Sequence, residues 1–371
     1  MRKRIIAFLA AVSVFAGIAP CASASGSAPE NSAACAILTD AESGVPLYEK
    51  HADKAMLIAS TTKIMTALVV LESCTLSDTV TIKREWTGVE GSSMYLAEGE
   101  VMTVEDLLYG LLLSSGNDAA VALASYTAGS VEAFADMMNA RAREMGLVST
   151  SFKNPHGLDA EGHYSTARDL AEITREAMKN EDFVRIVSTQ SIDRAGRTLT
   201  NHNRLLREYE GTLGVKTGYT KSAGRILVSC AERDGLRLIC VTISDADDWA
   251  DHKALYDWGF SEFRRVRAVD ADGVLLKIPV ISGLADEVGV RAGDEISVLC
   301  RAEDEITVKI EAPRFVYAPV LGNAAAGRAE VYKNGEKTAE TPLLFCTDVG
   351  RDESLILTLS GRIKRAIFGE R

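Results

Sequence analysis

From about Val266 helix signals vanish from the sequence until its last twenty residues. Short runs such as "VLLKIPV", "EISVLC", "EITVKI" and "RAEVYKNGEK" alternate with turn residues, which is the pattern of a small all-β domain. Upstream the order is different. "CAILTD" and "VPLYEK", split by "AESG", read as a β-hairpin. Helical periods follow: the segment behind "AST" (59–61), "VEDLLYGLLL" opened by Thr103 and Asp106, "DAAVALASY", Val131 to Met145 closed by Gly146, and Ala167 to Lys179 opened by Ser165 or Thr166. Strands return at "GTLGVKTG", "RILVSCA" and "RLICVTIS", the last two joined at Asp234-Gly235, and "DWADHKALYDWGF" is one more helix. Strands, then helices, then strands predict an α+β fold in which a mostly antiparallel sheet lies beside a helical cluster. The expected segments are residues 34–264, a β-rich domain at 265–350, and a helical tail at 351–371.

The N-terminus has the pattern of a removable export signal. Arg2, Lys3 and Arg4 precede an apolar run from Ile5 to Ala19, and Ala22-Ser23-Ala24 offers a small-x-small cleavage site. Residues 1–24 are therefore expected to be a signal peptide and 25–33 a polar leader. Pro20 stands where a lipoprotein signal before Cys21 wants a small residue. The tail carries Leu355, Ile356, Leu359, Ile363, Ala366 and Ile367 on one arc, with Arg362, Lys364 and Arg365 off it. A basic amphipathic end on an exported chain predicts a segment lying on a membrane surface, and packing on its own domain is the alternative.

A net charge of −11 argues against nucleic acid as a partner. Six cysteines remain after the signal. Cys230 and Cys240 flank the Asp234-Gly235 turn with the same parity, which predicts a shared sheet face; buried small hydrophobes are the alternative reading. There is no CxxC and no zinc spacing among the five histidines, so neither a metal nor another cofactor is expected.

Ser60 and Lys63, in "IASTTKIMTAL", stand one helical turn apart. A serine needs a base to attack at neutral pH, and the GxSxG elbow of serine-histidine hydrolases is absent. A lysine serves instead if burial or a second cation keeps its amine neutral. By itself the pair reads better as an ordinary helix cap and a surface lysine. Two other motifs shift the weight. "SGN" places Ser115 and Asn117 at a break between helices, and "KTG" places Lys216, Thr217 and Gly218 at a strand end. SxxK, SxN and KTG each occur once, in that order.

This triad is the signature of penicillin-binding proteins and class A β-lactamases. With "GSSMYLAEGE", "SFKNPHGLDAEGHYSTARDLA", "TNHNRLL" and "GVKTGYTKSAGR", the chain resembles the D-alanyl-D-alanine carboxypeptidases of the low-molecular-weight penicillin-binding protein 5 type. The resemblance implies a transpeptidase-like catalytic domain, with Ser60 as nucleophile and Lys63 as its base. It implies that Ser115 and Asn117 relay protons and orient the substrate. Lys216 and Thr217, with Gly218, would bind the terminal carboxylate of a peptidoglycan stem peptide ending in D-Ala-D-Ala. The backbone N–H groups of Ser60 and Tyr219 would form the oxyanion hole. β-Lactams would acylate Ser60, and the site would face the cell wall or the outer face of the cytoplasmic membrane. His156 and His163 are expected to hydrogen-bond within a structural loop that Asn154 holds.

The middle motif is SGN, not the SDN of class A β-lactamases, and no ExxLN segment is present. In "DADDWADHK", where many relatives carry an arginine near the substrate carboxylate, Asp247, Asp248 and Trp249 stand instead. The rival readings are a DD-endopeptidase, a weak β-lactamase, and a catalytically silent wall-binding module.

Overall fold

The computed structural model describes residues 26–354 and the backbone of Val12–Val14. Of the expected signal peptide only Val12–Val14 is described, as a strand paired antiparallel with Val308–Ile310; its other residues and the tail from Leu355 lie outside the described residues. The chain divides into two compact units, one of Ser25–Glu262 and one built on the chain from Phe263 onward. The strand Phe263–Val269 follows directly on the last helix of the first unit, so the division falls two residues before the expected end at 264.

The first unit is organised by a five-stranded antiparallel sheet. Its strands are β1 (Cys35–Asp40), β2 (Pro46–Lys50), β3 (Thr212–Thr220), β4 (Gly224–Arg233) and β5 (Leu236–Ile243), in the order β2-β1-β5-β4-β3. β3 is thus an edge strand, and it carries Lys216, Thr217 and Gly218. Asp234 and Gly235, both at positive φ, make the two-residue turn between β4 and β5. That turn pairs odd numbers with even ones. Cys230 therefore faces Ile239, while Cys240 faces Ser229. The two cysteines lie on opposite faces, contrary to the expectation from parity, and all six described cysteines are free.

One face of the sheet packs on the helices α1 (Lys63–Ser73), α2 (Val104–Leu112), α3 (Asn117–Ala128), α4 (Val131–Glu144), α5 (Ala167–Ala177) and α6 (Glu181–Val187). Most of these begin where their caps say. Thr103 and Asp106 form a reciprocal capping box, Ser130 caps α4, Thr166 caps α5 and Asn180 caps α6. α1 has no solvent face over its first two turns. Every residue from Lys63 to Val70 is buried, so this helix runs through the middle of the cluster.

A short helix α7 (Leu205–Glu208) precedes β3, and α8 (Asp248–Glu262) covers the other sheet face. Gly259 lets α8 approach, since a Cβ there would lie 2.8 Å from both Leu38 and Leu238. Inside that contact Ser229 Oγ lies 2.7 Å from His252 Nδ1 and 2.6 Å from Tyr256 OH, and His252 Nε2 lies 3.0 Å from Thr242 Oγ1. Burial lowers the His252 pKa to about 3, so the imidazole is neutral and the network ties α8 to the sheet without charge.

The second unit is all-β. Its main sheet joins β7 (Leu276–Ile281), β8 (Glu287–Ala292), β10 (Ile306–Glu311), β11 (Val316–Tyr317), β12 (Ala325–Lys333) and β13 (Glu336–Phe345), with β6 (Phe263–Val269) and β9 (Ile296–Arg301) as a separate pair. Val288, Val290, Ala329, Val331, Leu343 and Phe345 fill its own core. The alternation of buried and exposed residues along β7, β8 and β9 is the period-2 pattern seen in the sequence.

Candidate active site

Ser60 sits in a single 3-10 turn, Ala59–Thr62, immediately before α1, and it does not cap the helix with its side chain. In a 3-10 turn residues i and i+3 eclipse, which brings Lys63 under Ser60. Lys63 Nζ lies 3.1 Å from Ser60 Oγ. The turn is held from three sides. Thr61 and Thr62 hydroxyls donate to the Ile58 and Ala59 carbonyls. Gly218 of β3 packs so close that a Cβ there would stand 3.2 Å from Ser60 N. Thr62 Oγ1 also meets His163 Nε2 at 2.8 Å. Ala59, directly before the nucleophile, is at φ +44°, a left-handed conformation that only surrounding structure sustains in a non-glycine residue.

Lys63 is fully buried and makes two further contacts, with Asn117 Oδ1 and the His156 carbonyl, each at 2.7 Å. Its pKa is pushed well below the ordinary lysine value, first by burial and then by the nearby Lys216 ammonium, with the Asp118 carboxylate opposing. Asn117 is the first residue of α3, and its Nδ2 donates to the Glu90 carbonyl. Ser115, two residues earlier, is held at φ +60° at the break between α2 and α3.

Lys216 is buried beneath the cleft, with its Nζ donating to the carbonyl of Thr217 at 2.9 Å, and burial lowers its pKa to about 7. The cleft itself, about 470 Å³, brings together Ser60, Ser115, Thr217, Gly218 and Tyr219. Of the expected site residues, Lys63, Asn117 and Lys216 therefore lie below the cleft, and the others face the open space.

Ser92, His202 and Arg225, which were not singled out from the sequence, line the same cleft, and so do Asp248 and Trp249 of the segment without an arginine. Burial and then Lys216 lower the His202 pKa, so its ring is neutral. Asp118, fully buried beside Asn117, accepts from Ser93 Oγ at 2.6 Å and from the N–H groups of Met94 and Leu96 at 3.0 Å each, which fixes the loop over α3. An acidic residue in a first helical turn was the only sequence signal for it. The His156 carbonyl belongs to a loop held by Asn154, whose Oδ1 accepts from Gly157 N at 2.7 Å and whose Nδ2 donates to the Leu158 carbonyl at 2.9 Å. His163 contributes hydrogen bonds there, and burial lowers its pKa and that of His156 to about 4.

Comparison with known proteins agrees with this geometry. The family profile of D-alanyl-D-alanine carboxypeptidase matches residues 22–247, and that of the penicillin-binding protein 5 C-terminal domain matches 263–351. The D-alanyl-D-alanine carboxypeptidase DacF of Bacillus subtilis is 34% identical over 330 residues, covering 85% of each chain. DacC of Escherichia coli, of the same name, is 34% identical over 357 residues, covering 91% of this chain and 89% of its own. Among solved structures, penicillin binding protein 5 from Haemophilus influenzae superposes with a TM-score of 0.70 at 29% identity, covering 88% of this chain and 100% of its own. The chain belongs to the D-alanyl-D-alanine carboxypeptidase family, as a serine-type peptidase of the penicillin-binding protein fold followed by an all-β C-terminal domain.

Proposed function

We propose that the protein removes the terminal D-alanine from peptidoglycan stem pentapeptides through an acyl-enzyme on Ser60, with Lys63 as the base. The observation that carries this is the environment of one amine. Neutral Lys63 has two N–H donors and one lone pair. The Asn117 and His156 carbonyl oxygens, each 2.7 Å away, take the two donors. The lone pair is left for Ser60 Oγ at 3.1 Å. Burial and the Lys216 charge keep the amine in the form that accepts the serine proton.

Ser60 Oγ then attacks the carbonyl between the two D-alanines. The N–H groups of Ser60 and Tyr219 take up the developing oxyanion, a term commonly worth about 3–4 kcal/mol per donor. The proton that Lys63 took from Ser60 passes through the Ser115 hydroxyl to the departing D-alanine nitrogen, while Asn117 orients the peptide. Thr217 and the buried Lys216 attract its carboxylate, and Gly218 keeps β3 close to the acyl carbon. Water completes the cycle at the ester. A β-lactam follows the first half of the same path and stays on Ser60.

Residues 1–24 serve in this reading as the export signal, and the 351–371 tail lies on the outer face of the cytoplasmic membrane. The experiment incubates wild-type protein and Ser60→Ala with a D-Ala-D-Ala stem peptide and with a cross-linked dimer. D-Alanine release from the stem peptide by wild type alone supports the proposal. Cleavage of the dimer alone replaces it with endopeptidase activity, and release by neither substrate overturns it. Deleting 355–371 is expected to free the protein from membranes; unchanged partitioning overturns the anchor.

A further inference from the structure

The mechanism leaves the substrate's free carboxylate facing a cleft whose two catalytic lysines are buried. Lys63 and Lys216 are 0% and 1% exposed, and neither lines the open space. Among the residues that do line it, His202 is neutral and Arg225 is the one permanent cation.

Arg225 is placed by strand register. β3 and β4 pair Tyr219 with Arg225 and Thr217 with Leu227. Arg225 is therefore the diagonal neighbour of Thr217 on the same sheet face. Diagonal neighbours in an antiparallel pair are about 7–8 Å apart, within reach of a long side chain. Its guanidinium is anchored by Asp248, the first residue of α8, through an Nη2–Oδ1 ion pair. Asp248 is itself nearly buried and accepts from Trp249 N at 3.0 Å, so the anchor is rigid. The arginine side chain stays 45% exposed toward the cleft. A guanidinium has five donors in a planar fork, so one ion pair leaves donors for a second carboxylate.

We infer that Arg225, positioned by Asp248, makes the direct ionic contact with the free C-terminal carboxylate of the substrate beside Thr217, with the buried Lys216 acting on it from below. This rests on the reading of Ser60 as the acylated nucleophile. It also gives Asp248 a purpose: the segment that lacks an arginine of its own holds one supplied by β4. Arg225 touches substrate, whereas Asp248 is a positioning residue.

The test compares wild type with Arg225→Ala, Arg225→Lys and Asp248→Asn on two stem peptides, one ending in a free D-Ala-D-Ala carboxylate and one ending in its C-terminal amide. Acylation of Ser60 by a β-lactam with a free carboxylate, and by the same β-lactam esterified there, is followed in parallel by intact mass. A charge-assisted contact of this kind corresponds to about 10- to 100-fold. Arg225→Ala is expected to lose about that much kcat/KM on the free acid and less than about 3-fold on the amide. Arg225→Lys and Asp248→Asn are expected to fall between, with the loss confined to the acid. The esterified β-lactam should acylate Arg225→Ala at the wild-type rate, which shows the site intact. Equal losses on acid and amide, slow acylation by the ester, or an unchanged rate on the acid each overturn the assignment. If wild type releases no D-alanine, the peptidase reading fails, and the two β-lactam rates still decide the role of Arg225.

Discussion

Gly157 lies against the carbonyl of Ala59 so closely that a Cβ on it would fall 1.9 Å from that oxygen and 2.8 Å from Thr62 Oγ1. Its φ of +88° is also one that a side chain disfavours. The loop that supplies the His156 carbonyl to Lys63 thus also props up the turn that presents Ser60. Nucleophile and base are set by one shared contact. Gly157→Ala is expected to destabilise the protein by about 2 kcal/mol or more and to lower kcat/KM by about 100-fold, because the turn must move. Denaturant unfolding and D-alanine release check the two effects. A variant of wild-type stability and rate contradicts the buttress.

Asp118 joins the same arrangement from the other side. Asp118→Asn keeps the shape but cannot accept from Ser93, Met94 and Leu96 as the carboxylate does. A loss of about 2–4 kcal/mol in unfolding free energy is expected. Asp118 also raises the Lys63 pKa against the stronger effects of burial and Lys216. Removing that charge lowers the pKa further, so the acid limb of the kcat/KM profile should move to lower pH. A limb that stays in place means that Lys63 does not set it.

Lys216 carries a stability cost that its function explains. Its pKa falls from 10.5 to about 7 in the folded protein, so between those values the native state binds fewer protons than the unfolded chain. Wild-type stability from this group therefore rises with pH across that window, and the full penalty is present below about pH 7. Lys216→Met is expected to be more stable than wild type near pH 6, by an amount on the order of a few kcal/mol, with the gain vanishing above about pH 10.5. Activity should be lost at every pH. Denaturant midpoints at the two pH values provide the check; a pH-independent difference contradicts the buried, titrating lysine.

The local rules carried much of this from sequence. Thr103 with Asp106, Thr166 and Gly146 mark helix ends because caps are decided within one turn of chain. Ser60, Lys63, Ser115, Asn117, Thr217 and Gly218 were legible because short motifs hold them at fixed spacing. What stayed hidden depends on pairing across the chain. The opposite faces of Cys230 and Cys240 follow from a two-residue turn that reverses parity. The burial of α1 on every side needs the whole cluster around it. The His156 carbonyl, the Asp118 carboxylate and the Arg225–Asp248 pair act through backbone register and loop packing, which no local pattern of residue types encodes.

Formation of a covalent intermediate on Ser60 is the step from which the other roles follow. The most direct measurement is the intact mass of wild-type protein mixed briefly with a D-Ala-D-Ala stem peptide or a β-lactam, followed by peptide mapping of the adduct, with Ser60→Ala and Lys63→Met alongside. The predicted result is one adduct, mapped to Ser60 in wild type, absent in Ser60→Ala and slowed by at least about 1000-fold in Lys63→Met. An adduct on any other residue, or one that forms at the wild-type rate without the Lys63 amine, would contradict it.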